Sequence, residues 1–217
     1  MAVTGLVMIG FLLMHMFGNF KMFLGEDAFN HYAEWLKGQT PDGGILYPIL
    51  PAGWFIWIFR VFLVAAVVLH IYSALTLWQR AKAASPSTYE AKRKLAQTYS
   101  ARTMRWGGII LAGILIFHLL QFTVHATLIA GPFEDNPYKM VLGEFSIWWM
   151  VLVYAIWMVA VCMHIRHGFW SAFATLGANT SAKARAILNG CAWAVALILY
   201  IGFMIMPVSV LFGWIGA

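Results

Sequence analysis

The chain has 217 residues, 62% of them hydrophobic and only 10% charged, with a net charge of +6. That composition excludes a soluble globular protein and places most of the backbone in hydrocarbon. The two cysteines, Cys162 and Cys191, lie inside hydrophobic runs without a Cys-x-x-Cys spacing. This argues against a disulfide framework or zinc site and reads as small packing residues.

Hydropathy divides the chain into five spans, approximately Met1 to Leu24, Gly53 to Trp78, Met104 to Ala130, Phe145 to Phe173 and Ala186 to Trp214. Each is long enough to cross a hydrocarbon core of about 30 Å at about 1.5 Å per residue. The expected fold class is all-α, a single integral membrane bundle of five transmembrane helices over residues 1–217. The first span is not read as a cleaved signal, because it lacks a basic leading segment and carries His15, Asn19 and Lys21. Its start at Met1, without a polar tail, leaves room for native residues upstream.

The connections set the expected orientation. The first holds Glu26, Asp27, Glu34 and Asp42 against Lys37, and the third holds Glu134, Asp135 and Glu144 against Lys139. The second holds Arg80, Lys82, Lys92, Arg93, Lys94, Arg102 and Arg105 against Glu90 alone, and the fourth holds Lys183 and Arg185. Positive-inside sorting puts the basic connections and the N-terminus in the cytoplasm and the C-terminus outside. The basic face suits docking of a soluble subunit. No aromatic-interleaved basic patch points to nucleic acid.

Four of the spans carry a histidine near mid-depth: His15, His70, His118 and His164. Counting along each helix puts His70 roughly 12 to 15 Å and His164 roughly 14 Å from the cytoplasmic side. His15 lies roughly 14 Å and His118 roughly 18 Å from the outer side. Two levels result, one histidine pair at each, and paired imidazoles in lipid suit axial ligation of two haems. A single such histidine can instead be an interhelical hydrogen-bonding group or part of a proton relay. His125, seven residues after His118, would share its helix face, so either is a candidate outer ligand. His167 follows His164 by three residues and, with Arg166, is a candidate for contact with haem propionates. The fifth span has no histidine and is expected to be peripheral. His31 reads as a solvated loop residue.

Several stretches together resemble the five-helix, dihaem cytochrome b558-type membrane anchor subunit of bacterial succinate dehydrogenase and fumarate reductase. They are Thr4-Gly5-Leu6, His15-Met16-Phe17-Gly18-Asn19, Phe29 to Leu36, Arg60 with His70-Ile71-Tyr72, Ser100 to Gly108, and His164 to Ala172. Their order and spacing cover nearly the whole chain. The resemblance implies a complex II subunit in the bacterial cytoplasmic membrane, partnered by lipid and by flavoprotein and iron-sulfur subunits on the cytoplasmic side. It implies two b haems, the proximal held by His70 and His164 and the distal by His15 and His118, and so favours His118 over His125 and His164 over His167. It also implies a quinone substrate, with menaquinone the expected one for a dihaem member. Where some relatives carry a proton-returning glutamate two residues before the proximal ligand, this chain has Cys162, and that role is not carried over.

Further residues follow from these expectations. Arg60 lies roughly 15 Å outward of His70, near the outer pair, where it could meet a propionate or snorkel to the interface. Lys21 is the poorer propionate candidate. His31, Tyr32, Glu34 and Trp35 could line a quinone cleft, with Glu34 handling protons; an amphipathic interfacial helix explains the same residues without a ligand. Three rivals stand beside this reading. They are a stand-alone transmembrane b-type cytochrome of the ascorbate- or ferric-reducing kind, a haem-free histidine-relay transporter, and a Rieske-type [2Fe-2S] cluster using Cys162 and Cys191.

Overall fold

The structure, a computed structural model, describes residues 1–83, 99–126, 129 and 136–216, with backbone alone at 82, 99–103 and 105. Glu90, Lys92, Arg93, Lys94, Glu134 and Asp135 lie outside the described residues, as do the side chains of Lys82, Arg102 and Arg105. Among the described residues every regular element is helical. In chain order they are α1 (Ala2–Asn19), continued by a 3-10 turn (Phe20–Leu24), α2 (Glu26–Lys37), α3 (Trp54–Ala83), α4 (Tyr99–Phe122), α5 (Pro137–Phe145), α6 (Trp148–Thr175) and α7 (Ala182–Leu211).

Among the described residues four helical segments are long and apolar enough to cross a membrane: Ala2–Leu24, Trp54–Ala81, Trp148–Thr175 and Ala182–Leu211. The chain thus has the architecture of a helical membrane protein. The remaining expected span is shorter, its apolar helical part running from Trp106 to Phe122. Its hydrophobic run continues to Ala130, but the helix does not. The Val124 amide reaches back to the Leu119 carbonyl at 2.9 Å and the Ala126 amide to the Leu120 carbonyl at 2.8 Å. These bonds widen the last turn, and His125 then adopts a left-handed backbone with φ 59°. A left-handed residue cannot propagate a right-handed helix. His125 therefore does not share a helix face with His118, contrary to the sequence expectation.

The most closely packed pair is α6 with α7, again unlike the expectation of a peripheral last helix. Small residues explain it. Ala192 and Ala196 are buried on α7 beside Leu199, which has no exposure, and on α1 the Met16 side chain lies against Gly202. By contrast, only 6% of the most apolar stretch of α3 is buried, against 44% for α7.

Two short helices clamp the end of the bundle where α1 and α4 finish. α5 starts at Asn136, whose side chain accepts from the Lys139 amide at 3.0 Å, with Pro137 in the first turn. α2 stops at Gly38 in the left-handed region. Asn30 of α2 donates to Asn136 at 3.1 Å and accepts from the Tyr138 amide at 3.0 Å. Asn136 in turn donates to Glu26 at 2.7 Å, and Lys139 lies 3.5 Å from the same carboxylate. The Asn136 hydrogen bond, with Lys139 beside it, holds the Glu26 carboxyl below its ordinary value.

Candidate functional site

The helices bring the four mid-span histidines together in twos. His15 of α1 and His118 of α4 have ring centroids 5.9 Å apart, and His70 of α3 and His164 of α6 are 6.3 Å apart. The first pair lies toward the α2/α5 end and the second toward the opposite end. The contact of Thr4 with His70 fixes their separation along α1: Thr4 and His15 are roughly 16 Å apart at about 1.5 Å rise per residue.

The His15–His118 level is walled by aromatic rings. Phe11 stacks on His15 at 5.5 Å and Phe203 of α7 lies 5.7 Å from it. Phe122, Trp157 and Tyr154 stand 5.4, 5.6 and 6.0 Å from His118. Pro207 removes the amide that would close onto the Phe203 carbonyl, so α7 lacks one ladder bond next to this ring. Behind His118 runs a buried polar chain: His118 Nδ1 to Tyr154 Oη at 3.1 Å, Tyr154 to Gln121 Oε1 at 2.6 Å, and Gln121 Nε2 to Glu144. Glu144 Oε1 also accepts from the Ile129 amide at 2.6 Å. Gln121 and Glu144 have no exposure. Glu144 is thus a fully buried carboxylate, and the reading of it as one more acid of an outward loop is corrected. Gln121 could have been noticed as a lone amide three residues after His118 in an apolar run. Nothing in the sequence marked Glu144.

The His70–His164 level is built more lightly. Thr4 Oγ1 lies 3.2 Å from His70 Nδ1 and donates to the Met1 carbonyl at 3.0 Å. Having spent its one proton there, the hydroxyl accepts from His70 Nδ1, leaving Nε2 with the lone pair in the neutral ring. His164 Nδ1 is buried and has no hydrogen-bond partner among the described residues. Gly5 and Gly108 lie beside the rings at ordinary contact range: a Cβ at Gly5 would stand 3.5 Å from His70, and one at Gly108 4.0 Å from His164.

These distances suit two imidazoles on one metal. Ligation from opposite sides at about 2 Å per nitrogen sets ring centroids roughly 6 Å apart. Among the described residues no three His, Cys, Asp or Glu side chains gather as a metal-holding group. Each level thus offers two imidazoles within reach of one another. The described residues do not gather Cys162 and Cys191 with two histidines, as a Rieske cluster would need.

The other candidates are scattered. Arg60 is half-buried with its guanidinium 5.0 Å over the Trp57 ring of its own helix. Arg166 turns to α7, donating to Asn189 at 2.7 Å and lying 5.1 Å over Trp193. His167 is half-buried one turn beyond His164, and His164 is the one that meets His70. His31, Tyr32 and Trp35 line an open cleft of about 320 Å³ with Lys21, Ala28 and Asp42. Tyr32 packs on Gly18, and burial pushes its phenol up. Lys21 Nζ lies 5.4 Å over Phe17 and 6.0 Å over Tyr32. Glu34 is exposed and does not line this cleft. The carboxylate that does is Asp42, held low by the Thr40 hydroxyl.

No known protein family, curated protein sequence or solved structure matches the chain.

Proposed function

We propose that this chain is the membrane anchor and electron-transfer subunit of a complex II-type succinate:quinone oxidoreductase, a five-span subunit of a bacterial cytoplasmic membrane. In this reading it holds two b haems between a cytoplasmic iron-sulfur subunit and a membrane quinone. The observation that carries it is the meeting of four intramembrane histidines as two separate pairs, at 5.9 and 6.3 Å. A haem b held by two histidines supplies one-electron transfer at an iron with no open coordination position.

The chain's own residues supply the rest. His15 and His118 would hold one group and His70 and His164 the other. Phe11, Phe122, Trp157 and Phe203 wall the first level, and the Thr4 hydroxyl orients His70 at the second. The cleft lined by His31, Tyr32, Trp35, Lys21 and Asp42 offers a flat aromatic wall, hydrogen-bonding groups and a carboxylate, as a quinone ring requires. Asp42 takes the proton-handling place first given to Glu34. Succinate oxidation itself belongs to the flavoprotein partner.

The test is purification of the chain from its native membrane in mild detergent. Flavoprotein and iron-sulfur subunits should co-purify, and succinate or menaquinol should reduce a b-type absorbance. A cytochrome that purifies without them and is reduced by ascorbate would replace this reading with a stand-alone electron carrier. Protein without b-type absorbance would favour a histidine relay.

A further inference from the structure

The polar chain behind His118 has a direction. Tyr154 donates its single proton to Gln121 Oε1 at 2.6 Å, so its oxygen is left to accept from His118 at 3.1 Å. His118 Nδ1 must then carry the hydrogen. The Gln121 amide is oriented by chemistry, since turning it over would set its carbonyl against the Glu144 carboxylate. Its Nε2 donates to Glu144 Oε2 and lies 3.6 Å from Met150 Sδ, while the Ile129 amide fills Glu144 Oε1 at 2.6 Å. Every link donates toward the carboxylate. The members come from three helices: Gln121 and His118 from α4, Glu144 from α5 and Tyr154 from α6.

We infer that Tyr154, Gln121 and Glu144 are positioning residues for the metal-ligating nitrogen of His118. They hold the ring as the Nδ1–H tautomer with Nε2 presented toward His15, and tilt its electron density toward the metal. This rests on the dihaem reading proposed above. A carboxylate at the far end of such a chain polarises each bond in turn and raises the basicity of the ligating nitrogen. A more basic ligand favours ferric over ferrous iron. At the other level Thr4 passes its proton to a backbone carbonyl, so the two irons would differ in potential although their ligand sets are identical.

The experiment uses the full-length, haem-loaded protein in detergent, with redox titration and low-temperature electron paramagnetic resonance of both ferric signals. His118→Ala and His164→Ala assign each signal to its level. In Tyr154→Phe the His15–His118 couple should rise in potential by a tenfold change in relative ferric stabilisation, about 59 mV for one electron, and its ferric signal should change. The His70–His164 couple should stay as it was. Glu144→Gln keeps the side-chain shape and removes the charge, so it should move the same couple the same way by less; it also serves if Tyr154→Phe does not fold. Retention of both haems with unchanged potentials and signals in both variants would overturn the inference, as would a parallel shift of both couples. Unaltered protein that binds no haem would overturn the parent reading and this one together.

Discussion

His118 and His15 sit inside a shell of five aromatic rings with a buried amide and carboxylate behind them, whereas His70 leans on one threonine at the start of α1, from a helix that is mostly exposed. The difference shows that one pairing of imidazoles can be set in two unequal frames. The first frame takes its walls from four helices, α1, α4, α6 and α7, and is capped by α2 and α5. The second depends on a single hydroxyl, that of Thr4.

The sharpest way to break the first frame is Glu144→Ala. It leaves the buried Gln121 amide without this acceptor, at roughly 1–3 kcal/mol for an unsatisfied buried group, and removes the bond from the Ile129 amide. Denaturant or thermal unfolding in detergent should show the loss, with the His15–His118 level disrupted first. Gly202→Val is next. Its added side chain collides with Met16, the neighbour of His15, and should cost about 1–3 kcal/mol through overpacking. The same measurement checks it, together with perturbation of the His15–His118 spectrum alone.

Thr4→Val tests the second frame and should do less. Interhelical hydrogen bonds in membranes average about 0.6 kcal/mol, so the protein should unfold nearly as before. The spectral change should be confined to the His70–His164 level. The smallest effect is one of pH. The Glu26 carboxyl is held below its ordinary value of 4.5, so its contribution to the α2–α5 clamp is complete above that value and is lost as pH falls through the lowered one. The hydrogen-exchange protection factor at the Tyr138 amide, corrected for the intrinsic pH dependence of exchange, should fall over that acid window, and protection factors in α3 should not.

Much of this asymmetry was invisible in the sequence. The four histidines were legible because a polar ring in an apolar run is conspicuous, and counting rise per residue sorted them into the pairs that now meet. His125 misled because its apolar surroundings continue past Phe122, while the backbone bonds from Val124 and Ala126 end the helix before it. α7 reads as peripheral because it lacks a histidine; what draws it into the core is the small side chains at Ala192, Ala196 and Gly202, which hydropathy does not register. Glu144 sat among connection acids, and only the fold of α5 turns it inward against Gln121. Asp42 shares the His31 cleft because the chain doubles back beyond Gly38, a long-range consequence that local pattern does not carry.

The central claim is that each histidine pair holds one iron. Pyridine haemochrome quantification on purified protein and on His15→Ala, His70→Ala, His118→Ala and His164→Ala tests it most directly. Two haems per chain are expected in the unaltered protein and one in every variant, with His15→Ala matching His118→Ala in spectrum and His70→Ala matching His164→Ala. No haem in the unaltered chain, or two retained in any of the four variants, would contradict the account.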